Sequence, residues 1–321
     1  MADITIIGGI NIDIEGRPFE SLKREDSNPG KISLSYGGVG RNITENVARM
    51  GGSAAMLSVI GDDHMGAGAK AHLAELGVDV SGIEMKKNQT SAIYLSILND
   101  KSDMELAISD MDVVKYIFPE FLERNMSLLS SSKAIALDGN LERETIEFAA
   151  KKFRDIPLFF DPVSTAKAVR AKDVIGSFTC VKPNIMEAEV LSGIKITCEE
   201  DLRTAGQWFI DKGVEKVFIT LNKDGVYFKD KDEDGFIRPG QVKVVSATGA
   251  GDSFSAAILM GMVLEMSARD IARYGMAAAQ ITMESSHAVN ENMSKEEIER
   301  RIKDVCLLYT SPSPRDGATS R

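Results

Sequence analysis

Apolar residues fall along this chain in short β-rich runs separated by stretches of helical spacing. The runs Ile4 to Ile7, Ala55 to Ile60, Ala134 to Leu137, Leu158 to Phe160 and Val217 to Leu221 are almost continuously hydrophobic, as strands covered on both faces must be. Between the first two, Val39, Ile43, Val47 and Met50 recur at helical spacing, and Gly51 stands where that helix would stop. A second helix is predicted over Gly66 to Leu76, ended by Gly77. This alternation predicts a mostly parallel central sheet layered with helices. Two stretches break the pattern: Ser27 to Tyr36, and Ser91 to Asn99 with its alternating Ile93, Leu95 and Ile97. Both read as antiparallel strands of a small sheet outside the main one.

A chain of 321 residues suffices for one large α/β domain with a minor addition. Thr310 to Arg321 carry Pro312, Pro314 and Gly317 without any apolar period, so the domain is expected to end at 309, before a disordered or appended tail. Asp and Glu number 48 against 38 Lys and Arg, which disfavours a nucleic-acid polymer or an anionic membrane as partner. Cys180, Cys198 and Cys306 are distant, odd in number and without a CxxC pair. They suggest neither a disulfide framework nor a zinc site, and they fit a reducing compartment. His64, His72 and His287 are scattered, against a histidine metal centre. No stretch reaches the roughly 20 apolar residues of a membrane span and the start has no basic leader, so a soluble, cytoplasmic protein is expected.

The sharpest local signal is Thr248-Gly249-Ala250-Gly251-Asp252-Ser253-Phe254, after the apolar run Val242 to Val245 and before Phe254, Ala257, Ile258 and Met262 at helical spacing. Small residues at a helix N-terminus let backbone amides approach a ligand, and the helix end adds partial positive charge. Gly249, Ala250 and Gly251 would then form an anion hole, with Asp252 at its edge as a carboxylate able to take a proton from an attacking hydroxyl. Alone, the same residues also read as a glycine turn whose Asp caps the helix.

Other motifs, in order, give the chain a resemblance to the ribokinase-like (PfkB) sugar and nucleoside kinases over nearly its full length. Gly9-Ile10-Asn11-Ile12-Asp13 resembles that family's first strand with its substrate-binding Asn and Asp. Gly37-Gly38-Val39-Gly40-Arg41-Asn42 is similar to its first signature, whose glycines let a sugar pack on the backbone. Lys182-Pro183-Asn184-Ile185-Met186-Glu187 resembles the motif that organises metal and phosphates, and Thr220-Leu221-Asn222-Lys223-Asp224-Gly225 the turn under the nucleotide. Thr248 to Asp252 is similar to the second signature. The resemblance implies a three-layer α/β/α ribokinase-like fold with a small β-sheet lid from segments near 14–36 and 88–112. It implies ATP and Mg2+ as cofactors, with Lys182, Asn184, Thr220, Asn222, Gly225, Gly249, Gly251 and Asn290 at the nucleotide, and Glu187 with Asp161, through water, at the metal. Asn11 and Asp13 also read as turn residues, and Asn184 with Glu187 as a helix capping box.

Ser246 stands where this family commonly has an Asp near a monovalent-cation site, leaving K+ dependence open, and Asn222 replaces a usual Gly. Asp26 to Lys31, Ser109-Asp110-Met111 and Asp161-Pro162-Val163-Ser164 are most similar to family members that phosphorylate the ribose 5′-hydroxyl of pseudouridine. The acceptor contacts this implies are Asn11, Asp13, Ser27, Asn28, Gly38, Val39, Asn42, Asp110, Asn140 and Asp252. Asp26 to Lys31 also reads as a plain polar turn. Ribose, fructose or adenosine as acceptor, or a non-catalytic nucleoside sensor, are the alternatives. An NAD-dependent oxidoreductase would want its glycine fingerprint directly after the first strand, where Gly8-Gly9-Ile10-Asn11 does not supply it. Lid strands in this family often pair between subunits, implying a homodimer.

Overall fold

Every residue of the Ile4–Ile7 strand is buried, with Ile4 and Ile6 in one hydrophobic cluster and Ile7 in another. Because side chains alternate across a strand, that split requires a covering layer on each face. The computed structural model, which describes residues 2–101 and 103–308, supplies both. The central strands are β1 (Ile4–Ile7), β4 (Ala54–Gly61), β5 (Ile83–Lys86), β8 (Ala134–Asp138), β9 (Leu158–Asp161), β10 (Cys180–Val181), β11 (Lys216–Thr220), β12 (Val226–Lys229), β13 (Asp234–Arg238) and β14 (Cys306–Leu308). They form one sheet in the order β14-β13-β12-β11-β10-β9-β8-β1-β4-β5. Pairings from β11 to β5 are parallel, whereas β11 to β14 are antiparallel.

On one face lie the helices Val39–Arg49, Ala250–Val263 and Ala268–Met283, whose Ile43, Val47, Ile258 and Ile271 pack on Met56 and Phe218. On the other, Phe121, Ile146, Leu191 and Phe209 pack on Leu57, Phe160 and Val217. The result is the three-layer α/β/α arrangement that the resemblance implies. Gly51 and Gly77 do end helices, at φ +83° and +80°, a region open to glycine. The second helix runs His64–Glu75, its start fixed by Asp63, whose carboxylate accepts the Gly66 N–H at 2.8 Å. None of the helices among the described residues is long and apolar enough to cross a membrane.

The smaller sheet has the order β3-β2-β6-β7, from β2 (Asn11–Pro18), β3 (Gly30–Gly37), β6 (Ala92–Leu98) and β7 (Met104–Asp110). It differs in detail from the sequence expectation. Ser27 to Pro29 lie in a loop ahead of β3, and β6 runs parallel to β2, being antiparallel only to β7. Its outer face carries Ile32, Leu34, Leu106 and Ile108 at 54% to 75% exposure. The expected tail at 310–321 lies outside the described residues.

Candidate functional site

β1 passes into β2 through Gly8, Gly9 and Ile10, so Asn11 and Asp13 enter the small sheet directly from the main one. The passage is held by Asp138 at the end of β8. One of its carboxylate oxygens accepts the N–H groups of Gly9 (3.0 Å) and Gly40 (2.9 Å), and the other accepts that of Asn140 (2.8 Å). A side chain on Gly8 would strike this carboxylate at 2.3 Å. At the next turn Gly38 adopts φ +98° and opens the Val39–Arg49 helix.

These segments border a cavity of about 510 Å³ lined by Asn11, Asp13, Gly38, Val39, Asn42 and Asn140, together with Tyr94, Ser109, Met111, Lys167 and Arg170. Lys167 donates to Asn140 Oδ1 at 2.5 Å, and Arg170 to the carbonyls of Gly139, Asn140 and Leu141 at 3.3, 3.0 and 2.7 Å. Burial pushes the Lys167 ammonium below its ordinary value. Three expected contacts lie elsewhere. The Asn28 side chain closes its own turn, accepting from Lys23 N (2.7 Å) and donating to the carbonyls of Lys23 (2.9 Å) and Asp26 (3.0 Å). Ser27 is exposed in that same loop. Asp110 is exposed and accepts the Asp112 N–H, while its neighbours Ser109 and Met111 line the cavity.

A second cavity, of about 670 Å³, adjoins the first and shares Val39 and Val163 with it. Val163 has φ +66°, a strained conformation for a β-branched residue and one that collects at functional sites. The lining includes Asp161, Lys182, Asn184, Glu187, Thr220, Asn222, Gly225, Gly251 and Asp252, together with the apolar Val242, Val244, Phe254, Met276, Ala279 and Met283. Asn184 and Glu187 do form a capping box: Asn184 Oδ1 accepts Glu187 N and Glu187 Oε2 accepts Asn184 N, both at 2.9 Å. The same pair lines the cavity, so the two readings of that motif are compatible. Asn222, at φ +53°, adopts the left-handed conformation that Asn tolerates better than most residues, which accounts for its standing in for Gly.

Gly249 is the N-cap of the Ala250–Val263 helix at φ +80°, and a Cβ there would lie 1.8 Å from the Ala288 carbonyl oxygen. The His287 to Asn292 segment therefore shapes this turn. Asn290 itself is buried away from the cavity, donating to Ile281 O at 2.6 Å and accepting from Asn292 N at 3.0 Å, which corrects its expected place at the nucleotide. The Ala250 amide bonds Ala247 O at 3.3 Å and the Ser253 amide bonds Gly249 O at 3.0 Å. Among the described residues, the amides of Gly251 and Asp252 carry no such bond and are the ones open to an anion.

Asp252 stands where the cavities meet: Asn42, which lines the first, donates its side-chain N–H to Asp252 Oδ2 at 2.7 Å. Burial, reinforced by Asp161, raises the Asp252 carboxyl to about 7, against the opposing pull of Asn42, Lys182 and Arg41. Burial disfavours the Lys182 ammonium, but Asp161, Glu187 and Asp252 around it outweigh that and hold it charged. Lys182 Nζ lies 3.2 Å from Asp161 Oδ2, which also accepts from Ser255 Oγ at 2.6 Å. Burial likewise raises the Glu187 carboxyl. Among the described residues, no three His, Cys, Asp or Glu side chains are grouped closely enough to hold a metal directly. A cation fitting this cavity would be one that keeps its waters and takes ligands from phosphate, as Mg2+ does. Sequence reasoning missed Asp138, Lys167 and Arg170.

Residues 1–295 match the profile of the pfkB family carbohydrate kinases. The chain is 33% identical to the pseudouridine kinase of Escherichia coli over 91% of its length and 93% of the relative's. It is 29% identical to the guanosine-inosine kinase of Exiguobacterium acetylicum, over 87% and 93%. Its fold superposes on the Arabidopsis thaliana ribokinase solved with ribose and ATP with a TM-score of 0.82 at 19% identity, covering 94% and 99% of the two chains.

The raised Asp252 value has a stability consequence. The folded chain binds this proton more tightly than the unfolded one, so the ionisation costs stability as pH climbs from 3.8 to about 7. In thermal melts, Asp252→Asn is expected to gain on the wild type across that window and to hold its advantage above it; a gap independent of pH would contradict the burial argument. At the helix start, Gly249→Ala is expected to cost at least about 1–3 kcal/mol by denaturant unfolding. Gly51→Ala, at φ +83° with nothing within 4 Å of the new Cβ, should cost less, and equal losses would rule out the clash with Ala288.

Proposed function

From a chain that belongs to the PfkB family, and so is a phosphotransferase with an alcohol acceptor, we propose an ATP-dependent kinase that phosphorylates the ribose 5′-hydroxyl of pseudouridine. The observation that carries the chemistry is Asp252, held by Asn42 at the junction of a polar cavity and a larger one with an apolar wall. Asn11, Asp13, Gly38, Asn42 and Asn140 hold the nucleoside in the first. ATP lies in the second, its phosphates toward Lys182, Asn184, Thr220, Asn222 and Gly225, its base in the apolar slot.

Asp252 takes the hydroxyl proton as that oxygen attacks the γ-phosphorus, the bond to the β-phosphate oxygen breaks and ADP leaves. The amides of Gly251 and Asp252, at a helix N-terminus, face the charge that spreads over the transferred group. Glu187, and Asp161 through water, are the carboxylates that would hold Mg2+, which would neutralise phosphate charge there. A carboxyl poised near neutrality suits a general base at cellular pH. Both substrates meet in the cytoplasm, where we place the enzyme.

Pseudouridine as acceptor rests on the Escherichia coli relative and on a cavity whose Lys167, Asn140 and Ser109 offer polar partners to a uracil edge. A site built to hydrogen-bond one base rejects others strongly, because a mismatch leaves buried polar groups unpaired. Incubation with Mg·ATP and pseudouridine, uridine, ribose, fructose, adenosine or guanosine, with products identified by mass, tests this. Pseudouridine 5′-phosphate is the expected product, lost with Asp252→Asn, and a clear preference for a free sugar or a purine nucleoside would end the pseudouridine reading.

The apolar outer face of the small sheet, with Ile32 and Leu34 on β3 and Leu106 and Ile108 on β7, fits a second copy of the chain better than water. We take the active form as a homodimer through this sheet. Sedimentation should give a dimer for the wild type and a monomer for Leu34→Glu with Ile108→Glu, and a wild type monomeric at micromolar concentration would exclude it.

A further inference from the structure

The Asn42 amide has two ends of nearly equal size, and only one can face the Asp252 carboxylate. The N–H end donates to Asp252 Oδ2 at 2.7 Å, whereas the carbonyl end would set oxygen against oxygen. The end presented is decided on the other side of Asn42, where Arg41 Nη2 donates to Asn42 Oδ1. Arg41 is itself fixed: its Nη1 donates to Glu45 one helical turn on, and Glu45 is held by Arg49 Nε at 2.8 Å and His72 Nε2 at 3.0 Å. Arg41 is buried and lines neither cavity. Its Nε is buried without a hydrogen-bond partner. A buried ion pair with an unpaired donor is a costly way to fill space next to a helix, which argues that it supplies orientation rather than stability.

We propose that Arg41, anchored by Glu45, is a positioning residue for the phosphoryl transfer. It fixes the Asn42 amide so that Asn42 clamps Oδ2 of Asp252, leaving Oδ1 for the acceptor hydroxyl. Arginine suits the role because its planar fork reaches Glu45 and Asn42 at once, while a lysine ammonium is a single point. The inference rests on Asp252 being the base.

The test is Arg41→Lys, which keeps the charge and loses the fork. Its crystal structure should show the Asn42 to Asp252 contact opened beyond hydrogen-bond reach. With the acceptor that the wild type phosphorylates, kcat should fall about 10- to 100-fold, as misplacement of a reacting group predicts, with the KM for ATP unchanged. In an Asn42→Ala background the same substitution should lower kcat little further, since its route to Asp252 is already cut. An intact contact with wild-type kcat, or losses that multiply in the double variant, would overturn the proposal. If Arg41→Lys does not fold, Glu45→Gln, which loosens the anchor, takes its place in the same measurements. A wild type inactive on every acceptor defeats the functional reading, while the crystallographic result still decides whether Arg41 orients Asn42.

Discussion

A buried carboxylate at the wall between two cavities is the constraint around which the rest of this molecule is arranged. Asp252 sits in the first turn of the Ala250–Val263 helix, where backbone amides favour negative charge, yet burial and the nearby Asp161 raise its proton affinity. Among the described residues, Asn42, Lys182 and Arg41 pull the other way, and each is contributed by a segment far away in sequence. The fold brings them together by layering. Lys182 follows β10, Asn42 and Arg41 ride the helix after β3, and both that helix and the one carrying Asp252 pack on the same face of the sheet.

The charges around the second cavity form a coupled set. Asp161, Glu187 and Asp252 are three carboxylates around one ammonium, that of Lys182. Taken alone this is an excess of negative charge in the place proposed for a polyphosphate. The excess makes sense if a divalent cation travels with the phosphates, because the carboxylates then have a partner that the chain does not provide. It also explains why the carboxyls of Glu187 and Asp252 are raised rather than lowered beside a lysine: burial and mutual repulsion exceed what one cation returns.

Much of this was legible in the sequence, for reasons that can be stated. The buried strands announced themselves because a strand covered on both faces has no room for polar residues, and the glycine turns because Gly38 and Gly249 occupy conformations closed to most other residues. Asn11, Asp13, Asn42, Lys182, Asn184, Glu187 and Asp252 were found by order along the chain and converge on the two cavities. What did not carry through were single polar residues taken over from the resemblance without a firm motif around them. Asn28 and Asn290 have the donors and acceptors of a binding residue, but their own backbone neighbours use them. Asp138 was overlooked because one Asp at a strand end has no signature, although it ties three segments together. β7 falls inside the segment near 88–112 that the resemblance assigned to the lid, but its alternating Met104, Leu106 and Ile108 point outward, the reverse of what the pattern implies for a sheet with a core behind it.

The small sheet also borders the first cavity. β2 is continuous with β1 through three residues, so Asn11 and Asp13 belong mechanically to the small sheet, while Asn42 and Asp252 belong to the helical layer. Asn11 donates to Asp13 at 2.6 Å, and burial raises the Asp13 carboxyl even against that bond and Arg41. In the proposed complex, a nucleoside bridging Asp13 and Asp252 would join the small sheet to the helical layer through hydroxyls that can donate to both carboxylates. On that reading the binding energy of the sugar would hold the small sheet against the helix end and exclude water from the transfer.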